Sequence, residues 1–393
     1  MEQIDVGRAR RETPGCETVK HFNNAGAALM PQPVIDATIA HLRAEAQRGG
    51  YEAAEAAAAD VDRLYAAAAG LLGCLPDEIA FLENATRAWD MAFYGIPFEK
   101  GDRIVTAVAE YASNFIAFLQ MAERRGVQIS VAPNDESGGV DVGALADMLD
   151  GRVKLVAISH VPTNGGLVNP VEQIGAITRQ AGVLYLVDAC QSVGQMPVRV
   201  DGIQCDFLSV TGRKFVRGPR GTGLLYVRRS ALEKVEPPFL DLHAAEWVDR
   251  HRYVVRNDAR RFETWEGNVA GRVGLGVALE YCRQWGIDAI WTRVQALADT
   301  LRKALAASPG VTVTDLGGRR CGIVTFTVDG RTSEEVKRAL RARDINVSVS
   351  DRASTLLDMQ ARGLDRLVRA SVHYYNDEHE INALVEAVQD IGR

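Results

Sequence analysis

Along the chain, apolar and polar positions fall into two kinds of segment. Short runs rich in branched apolar residues, at Ile79–Leu82, Arg103–Val108, Val127–Val131, Val153–Ser159, Val183–Val187 and Phe207–Val210, predict buried strands. Between several of them lie amphipathic stretches with helical spacing, Ala112–Arg125, Val142–Leu149 and Val171–Ala181. Strand–helix alternation of this kind predicts parallel pairing with helices on both faces of the sheet. From Thr222, the run TGLLYVRR predicts one more strand. The Ala-rich stretch Glu52–Gly70 predicts a helix, because Ala has the best helix propensity and the apolar positions recur at helical spacing. Gly70 or Gly73 ends it.

After about Phe262 the pattern changes. Helices are predicted over Val269–Trp285 and Ile287–Ala307, and strand-like runs over Gly310–Thr314 and Gly322–Val328. A helix at Ser333–Ala342, a strand at Ile345–Ser350 and a last helix at Asp377–Ile391 complete a smaller α/β unit. The reading is therefore a large α/β domain over residues 18–262 and a small domain over 263–393, to which the N-terminal segment 1–17 is added. A length of 393 residues suits two domains, and with no Pro/Ser-rich linker between them the halves are expected to pack tightly.

Composition narrows the function classes. Hydrophobic residues make up 47% and charged residues 24%, ordinary for a soluble globular chain rather than a disordered or fibrous one. A net charge of −6 gives little support to a nucleic-acid partner. No apolar run approaches a membrane span, and the start MEQIDVGRARRETPG has no apolar core of a secretory signal. The six cysteines are scattered without a CxxC pair, and the seven histidines form no metal-ligand spacing. Free thiols in a reducing cytoplasm, and no metal, are the expectation.

The chemistry concentrates in Leu184–Gly223. Asp188 ends one apolar strand, and Lys214 follows another after a Thr-Gly. The small and basic run Arg217-Gly218-Pro219-Arg220-Gly221-Thr222-Gly223 comes next. In open α/β sheets ligands collect beyond the carboxyl ends of the strands, where both residues fall. A lysine and an aspartate so placed suit pyridoxal phosphate: the lysine condenses with the aldehyde, and the aspartate faces the protonated pyridine nitrogen. Glu83–Trp89 follows a strand and opens a helix, whose first N–H groups and dipole can hold a phosphate, with Thr86 adding a hydroxyl. No G-x-G-x-x-G follows a first strand, which argues against a dinucleotide-binding oxidoreductase.

The order D-A-x-Q-S-x-G, S-x-T-G-x-K, G-P-x-G-T-G resembles the class V aminotransferases, the branch of fold-type I pyridoxal-phosphate enzymes that includes cysteine desulfurases. The resemblance runs from about His21 to the C-terminus. It implies a large, mostly parallel sheet sandwiched by helices, a smaller C-terminal α/β domain, and a homodimer with the site near the subunit boundary. It implies Lys214 as Schiff-base lysine and catalytic base, Asp188 as partner of the pyridine nitrogen, and Gln191 as donor to the ring's phenolic oxygen. Ala85, Thr86 and Arg87 resemble the phosphate cradle, with Thr211 adding a hydroxyl. Tyr111 stands where the family stacks a residue on the ring, and Thr163 or Asn164 lies in the segment that touches the ring. Arg369 resembles the clamp for the substrate α-carboxylate, and Asn24-Ala25-Gly26 the segment bordering the substrate.

Three departures from the family pattern bear on the reaction. Arg213 replaces the histidine that often precedes the lysine, and can pair with the phosphate; for it and Arg217 the alternative is solvated surface charge. Glu266 sits where the family has a threonine that reaches the neighbouring subunit's phosphate; Thr264 or Asn268 can substitute. The stretch Val347–Thr355, where desulfurases carry a persulfide-forming cysteine, contains none. Desulfuration onto a protein acceptor is therefore disfavoured, and Cys321 reads as a core thiol. β-Elimination from an S-substituted cysteine or its sulfoxide is the leading reaction, with Tyr111 protonating the leaving group. Transamination is the close alternative; epimerisation and a non-catalytic scaffold rank below.

Overall fold

The computed structural model describes residues 4–392; residues 1–3 and 393, assigned above to the small domain, lie outside the described residues. Its centre is a seven-stranded sheet. In chain order the strands are β1 (Ile79–Leu82), β2 (Arg103–Ala107), β3 (Gln128–Ala132), β4 (Val153–Ser159), β5 (Leu184–Asp188), β6 (Phe207–Thr211) and β7 (Gly223–Val227). They lie side by side as β1-β7-β6-β5-β4-β2-β3. All pairs from β6 to β3 are parallel, and β7 runs antiparallel to both of its neighbours. Residues 212–222 are too few for a crossover helix, so the chain turns back beside β6. That turn carries Lys214.

Successive residues of these strands enter two different cores, as the period of two requires. Val105, Val156, Ile158, Tyr185, Val187, Leu208 and Val210 pack on one face; Ile104, Leu155, Ala157, Leu184, Leu186 and Phe207 pack on the other. The first core continues into the smaller C-terminal sheet through Ile323, Val324, Phe326, Val368 and Val372, so the two α/β regions share one hydrophobic cluster.

The smaller sheet has four antiparallel strands: β8 (Val311–Val313), β9 (Ile323–Val328), β10 (Ser348–Asp351) and β11 (Arg366–Ser371), in the order β8-β9-β11-β10. The single strand expected over Ile345–Ser350 is two. Ile345–Asn346 pairs in parallel with Lys20–His21 of the N-terminal segment, and β10 pairs with β11. Nor is the Ala-rich stretch one helix. It forms Gly50–Ala56 and Ala58–Leu72, breaking at Ala57, whose N–H bonds back to Ala53 and Ala54. A hairpin, Ala245–Asp249 with Arg252–Val255, and a helix, Gln32–Arg48, were not foreseen.

The site depends on two further helices, α1 (Ala85–Tyr94) and α2 (Ala112–Arg125), which follow β1 and β2. Asn84 caps α1 by accepting the Arg87 N–H at 2.9 Å, a cap that stabilises a helix by about 1 kcal/mol. Gly223 lets β7 begin directly against this cap, where a Cβ would come within 2.6 Å of the Asn84 carbonyl carbon.

Candidate active site

The carboxyl ends of β1, β2, β4, β5 and β6 converge on one edge of the sheet and open into a cavity of about 440 Å³. Among its lining residues are Ala85, Thr86, Tyr111, Thr163, Asp188, Gln191, Thr211, Arg213 and Lys214. Nine of the residues singled out from sequence therefore share one cavity, from five separate segments of chain.

The floor is acidic. Asp188 ends β5 and is buried. Its Oδ1 accepts the Cys190 N–H at 3.0 Å, and its Oδ2 accepts from Asn114 Nδ2 at 3.1 Å. The same Asn114 amide donates at 2.8 Å to Glu110, so one side chain bridges two buried carboxylates. Glu110 also accepts from Thr106 Oγ1, the Tyr111 N–H, and both the N–H and Oγ of Ser159. Burial pushes the Glu110 carboxyl above its ordinary range, against the pull of those donors.

Cations stand at the rim. Burial draws the Lys214 ammonium down to about 8, with Arg213 and Arg369 adding to the fall and Cys190 and Asp188 opposing it. Gly194, at φ +94°, holds the facing turn so close that a Cβ would meet the Phe215 carbonyl carbon at 2.4 Å, and this fixes the backbone next to Lys214. Arg213 has a buried Nη1 without a hydrogen-bond partner. Arg369, on β11, does not itself line the cavity but stands behind Thr163, which does: it donates from Nε to Ser348 Oγ at 3.0 Å and from Nη1 to Thr163 O at 3.1 Å and Thr163 Oγ1 at 2.5 Å. These acceptors are neutral, and burial followed by Arg213 draws the guanidinium down to about 10.

Other expected residues sit differently. Arg87 points its side chain outward over the Phe239 ring at 5.1 Å, and its N–H is spent on Asn84, so it offers the cavity nothing. Asn24 is fully buried and does not line the cavity; its amide bonds to Ser371 O and its Oδ1 accepts from Tyr375. Ala25 borders the site only through its carbonyl, which accepts from Gln191 Nε2 at 3.2 Å. That nitrogen also reaches Thr163 Oγ1 at 3.4 Å. The atom Gln191 leaves without a partner is thus Oε1, not the N–H that the resemblance implies. Thr163 faces the site, whereas Asn164 turns toward Ser350 and Thr355. Glu266 and Thr264 line a separate cleft with Arg87 and Phe239, and Thr264 Oγ1 donates to Glu266 O at 3.1 Å. Arg217 is buried rather than solvated.

Asn114, Glu110, Ser159 and Cys190 are site residues that the sequence reading did not assign. The available signal was only the closeness of Glu110 and Asn114 to Tyr111 in sequence: Glu110 lies just before α2 and Asn114 in its first turn.

The residues present fit pyridoxal 5′-phosphate. Ala85 and Thr86 bring a helix start into the cavity, with the hydroxyls of Thr86 and Thr211 nearby and Arg213 Nη1 open. Asp188 offers an acceptor to a protonated ring nitrogen, and Lys214 an amine that is deprotonated in part near neutral pH.

Comparison with known proteins points the same way. The model of the aminotransferase class-V family matches residues 21–384. A probable cysteine desulfurase of Methanothermobacter thermautotrophicus is 30% identical over 98% of this chain and 97% of its own length. One from Pyrococcus abyssi is 29% identical over 97% and 96%. The apo structure of the cysteine desulfurase from Thermococcus onnurineus NA1 superposes with a TM-score of 0.92 at 26% identity, covering 100% of this chain and 99% of that one. The cystine C-S lyase C-DES, solved with its reaction product cysteine persulfide, superposes at 0.87 over 97% and 100%; at 24% identity the likeness is one of fold.

Proposed function

Since the chain belongs to the class V aminotransferase family of fold-type I, pyridoxal-5′-phosphate-dependent enzymes, we propose that it cleaves a carbon–sulfur bond of a cysteine-derived amino acid by β-elimination. The observation that carries this over desulfuration is the absence of a cysteine from 347–355, the stretch where the resemblance implies a persulfide-forming one. Burial pushes all six cysteines up: Cys16 and Cys321 to about 11, Cys74 and Cys282 to about 12, Cys190 and Cys205 well above the ordinary range. A persulfide-forming cysteine acts as thiolate, and burial disfavours that form at every one of them. Of the stretch 347–355, where a desulfurase loop is expected, residues Ser348–Asp351 form strand β10 and Arg352–Thr355 a tight turn.

Bound pyridoxal phosphate supplies an aldehyde that condenses with amines and a ring that accepts electron density from the α-carbon. The chain's own residues do the rest. Arg369 holds the substrate carboxylate with the part of its fork not spent on Ser348 and Thr163. Lys214 Nζ, depressed to about 8, accepts the α-proton and returns it where the reaction requires. Asp188 is held in place by Asn114 and the Cys190 N–H, and would offer its carboxylate to the ring nitrogen of the bound cofactor. Tyr111, about one-third exposed at the start of α2, donates its phenolic proton to the departing sulfur.

The names of the relatives favour a second reading, cysteine desulfurase. One experiment separates the two. Purified protein with pyridoxal 5′-phosphate receives cysteine or an S-substituted cysteine, with no keto acid present. Continuing release of pyruvate and ammonia is the expected result. Alanine with sulfane sulfur means desulfuration, and a keto acid released once per site means transamination. Lys214→Ala should lose the visible absorbance and lower turnover by about 10⁴-fold or more; retained turnover overturns the mechanism.

A homodimer is part of the proposal. Phe239, Trp247, Tyr253 and Trp265 are exposed large apolar side chains, and the cleft beside Phe239 holds Glu266 and Thr264. Sedimentation that shows only monomer, with activity retained, removes it.

A further inference from the structure

Three residues beyond Lys214, Arg217 adopts φ +64°, a backbone conformation that a glycine takes without strain and a side chain rarely takes. Its guanidinium is 1% exposed. Every hydrogen bond it makes goes to a neutral acceptor: Nε to Leu29 O at 2.8 Å, Nη1 to Tyr374 Oη at 2.6 Å, and Nη2 to Thr13 Oγ1 at 2.6 Å. It lies over the rings of Tyr375 at 4.4 Å, Tyr374 at 5.2 Å and Tyr281 at 5.8 Å. A buried charge in a strained backbone is costly, so what it connects is informative.

It connects three parts of the molecule that are far apart in sequence. Thr13 and Leu29 belong to the first thirty residues, an N-terminal segment longer than the 1–17 read from sequence. Tyr374 and Tyr375 lie three and four residues beyond β11, the strand that carries Arg369. The third part is the Lys214 turn, closed by the Arg217 N–H to Lys214 O at 2.9 Å and the Gly218 N–H to Gly212 O at 2.8 Å. The same turn is held from the same side by His373, whose Nε2 meets Phe215 O at 2.9 Å while its Nδ1 accepts the Tyr374 N–H at 3.0 Å. The Ala28 N–H adds a bond to Arg213 O at 2.9 Å.

We propose that Arg217 is a positioning residue: by clasping the N-terminal segment and the Tyr374–Tyr375 pair, it fixes the Lys214 turn in register with the strand that bears Arg369. The functional part of this rests on the reading of Lys214 as the cofactor lysine. A planar fork with divergent donors suits the task, because a single group must reach three acceptors in different directions while lying flat on aromatic rings. Loosening the clasp would let water reach Lys214 and misplace its amine relative to the substrate held at Arg369.

Two variants test it: Arg217→Met, and Thr13→Val with Tyr374→Phe, which keeps the arginine and removes two of its acceptors. In cofactor-free protein, the pH dependence of trace acetylation by acetic anhydride, read on the Lys214 peptide by mass spectrometry, gives the titration of that amine directly. In cofactor-loaded protein, kcat and KM are measured for the substrate that the turnover assay identifies. Both variants should raise the Lys214 midpoint by about one pH unit toward that of a solvated lysine. Both should lower kcat by about tenfold with KM changed by less than about threefold. A lower melting temperature with the Lys214 midpoint at the parent's value overturns the proposal and leaves Arg217 a structural residue. If Arg217→Met does not fold, the double variant decides on the same criterion. Failure of the cofactor reading is distinguishable: the parent would then show no visible band with pyridoxal 5′-phosphate, while the cofactor-free titration still judges the clasp.

Discussion

On the floor of the cavity the acids have their donors from the protein, whereas at the rim the cations have only neutral partners or none. Asp188 takes one donor on each oxygen, and Glu110 behind it accepts from Thr106, Tyr111, Asn114 and Ser159. Arg369 bonds to a serine and a threonine, Arg213 leaves Nη1 open, and Lys214 is drawn down to about 8. A buried charge satisfied by its own protein is held in place, as Asp188 is for the ring nitrogen. A buried cation beside the cavity with a donor left open is a place where an anion is meant to arrive, unlike Arg217, whose Nε, Nη1 and Nη2 are all bonded. The phosphate and the substrate carboxylate are the two anions that the proposed reaction brings.

The largest break in this contrast comes at the rim. Arg369→Ala should lower kcat/KM by about 10²–10³-fold, or about 3–4 kcal/mol, mainly through KM, because the carboxylate then loses its buried partner. Steady-state kinetics check it; a loss confined to kcat would mean that Arg369 does not bind the carboxylate. On the floor, Glu110→Gln puts an NH₂ where a carboxylate oxygen now faces only donors. It should cost about 2 kcal/mol of stability, read by urea unfolding, because at least one donor among Ser159, Asn114 and Tyr111 loses its acceptor. An unchanged midpoint would show that the floor network carries no weight.

The same contrast explains what could be read from the sequence. The central strands were legible because each is buried on both faces, so the local composition alone marks them. The hairpin Ala245–Asp249 with Arg252–Val255 was not. It exposes Trp247 and Tyr253 and has no core face to impose a pattern. Ile345–Asp351 could not reveal its split, because each half is set by a distant partner, Lys20–His21 for one and β11 for the other. Lys214, Asp188, Thr211 and Thr86, which line the cavity, are legible through motif order. Glu110 and Asn114 were passed over because their roles come from one another and from Asp188, 74 residues beyond Asn114. Arg217 read as a solvated charge for the same reason: its acceptors, at Thr13, Leu29 and Tyr374, come from both ends of the chain.

The smallest effect is a slope against pH, and its sign separates the rim from an ordinary surface. An unfolded chain releases the Lys214 proton near 10.5, whereas the folded, cofactor-free protein releases it near 8. Below about 8 both states hold the proton, and the folded state bears the full penalty of a buried ammonium. Between about 8 and 10.5 only the unfolded state keeps it, so folding gains stability as pH rises through that window. Lys214→Met has no charge to bury. Without cofactor it should therefore be more stable than the parent at pH 7, by on the order of 1 kcal/mol, and this lead should shrink toward pH 10. Urea unfolding of both proteins at pH 7 and 9.5 measures the difference. A lead that stays constant would place Lys214 in solvent rather than at the rim of a closed cavity, and the contrast with the satisfied floor would then lose its strongest member.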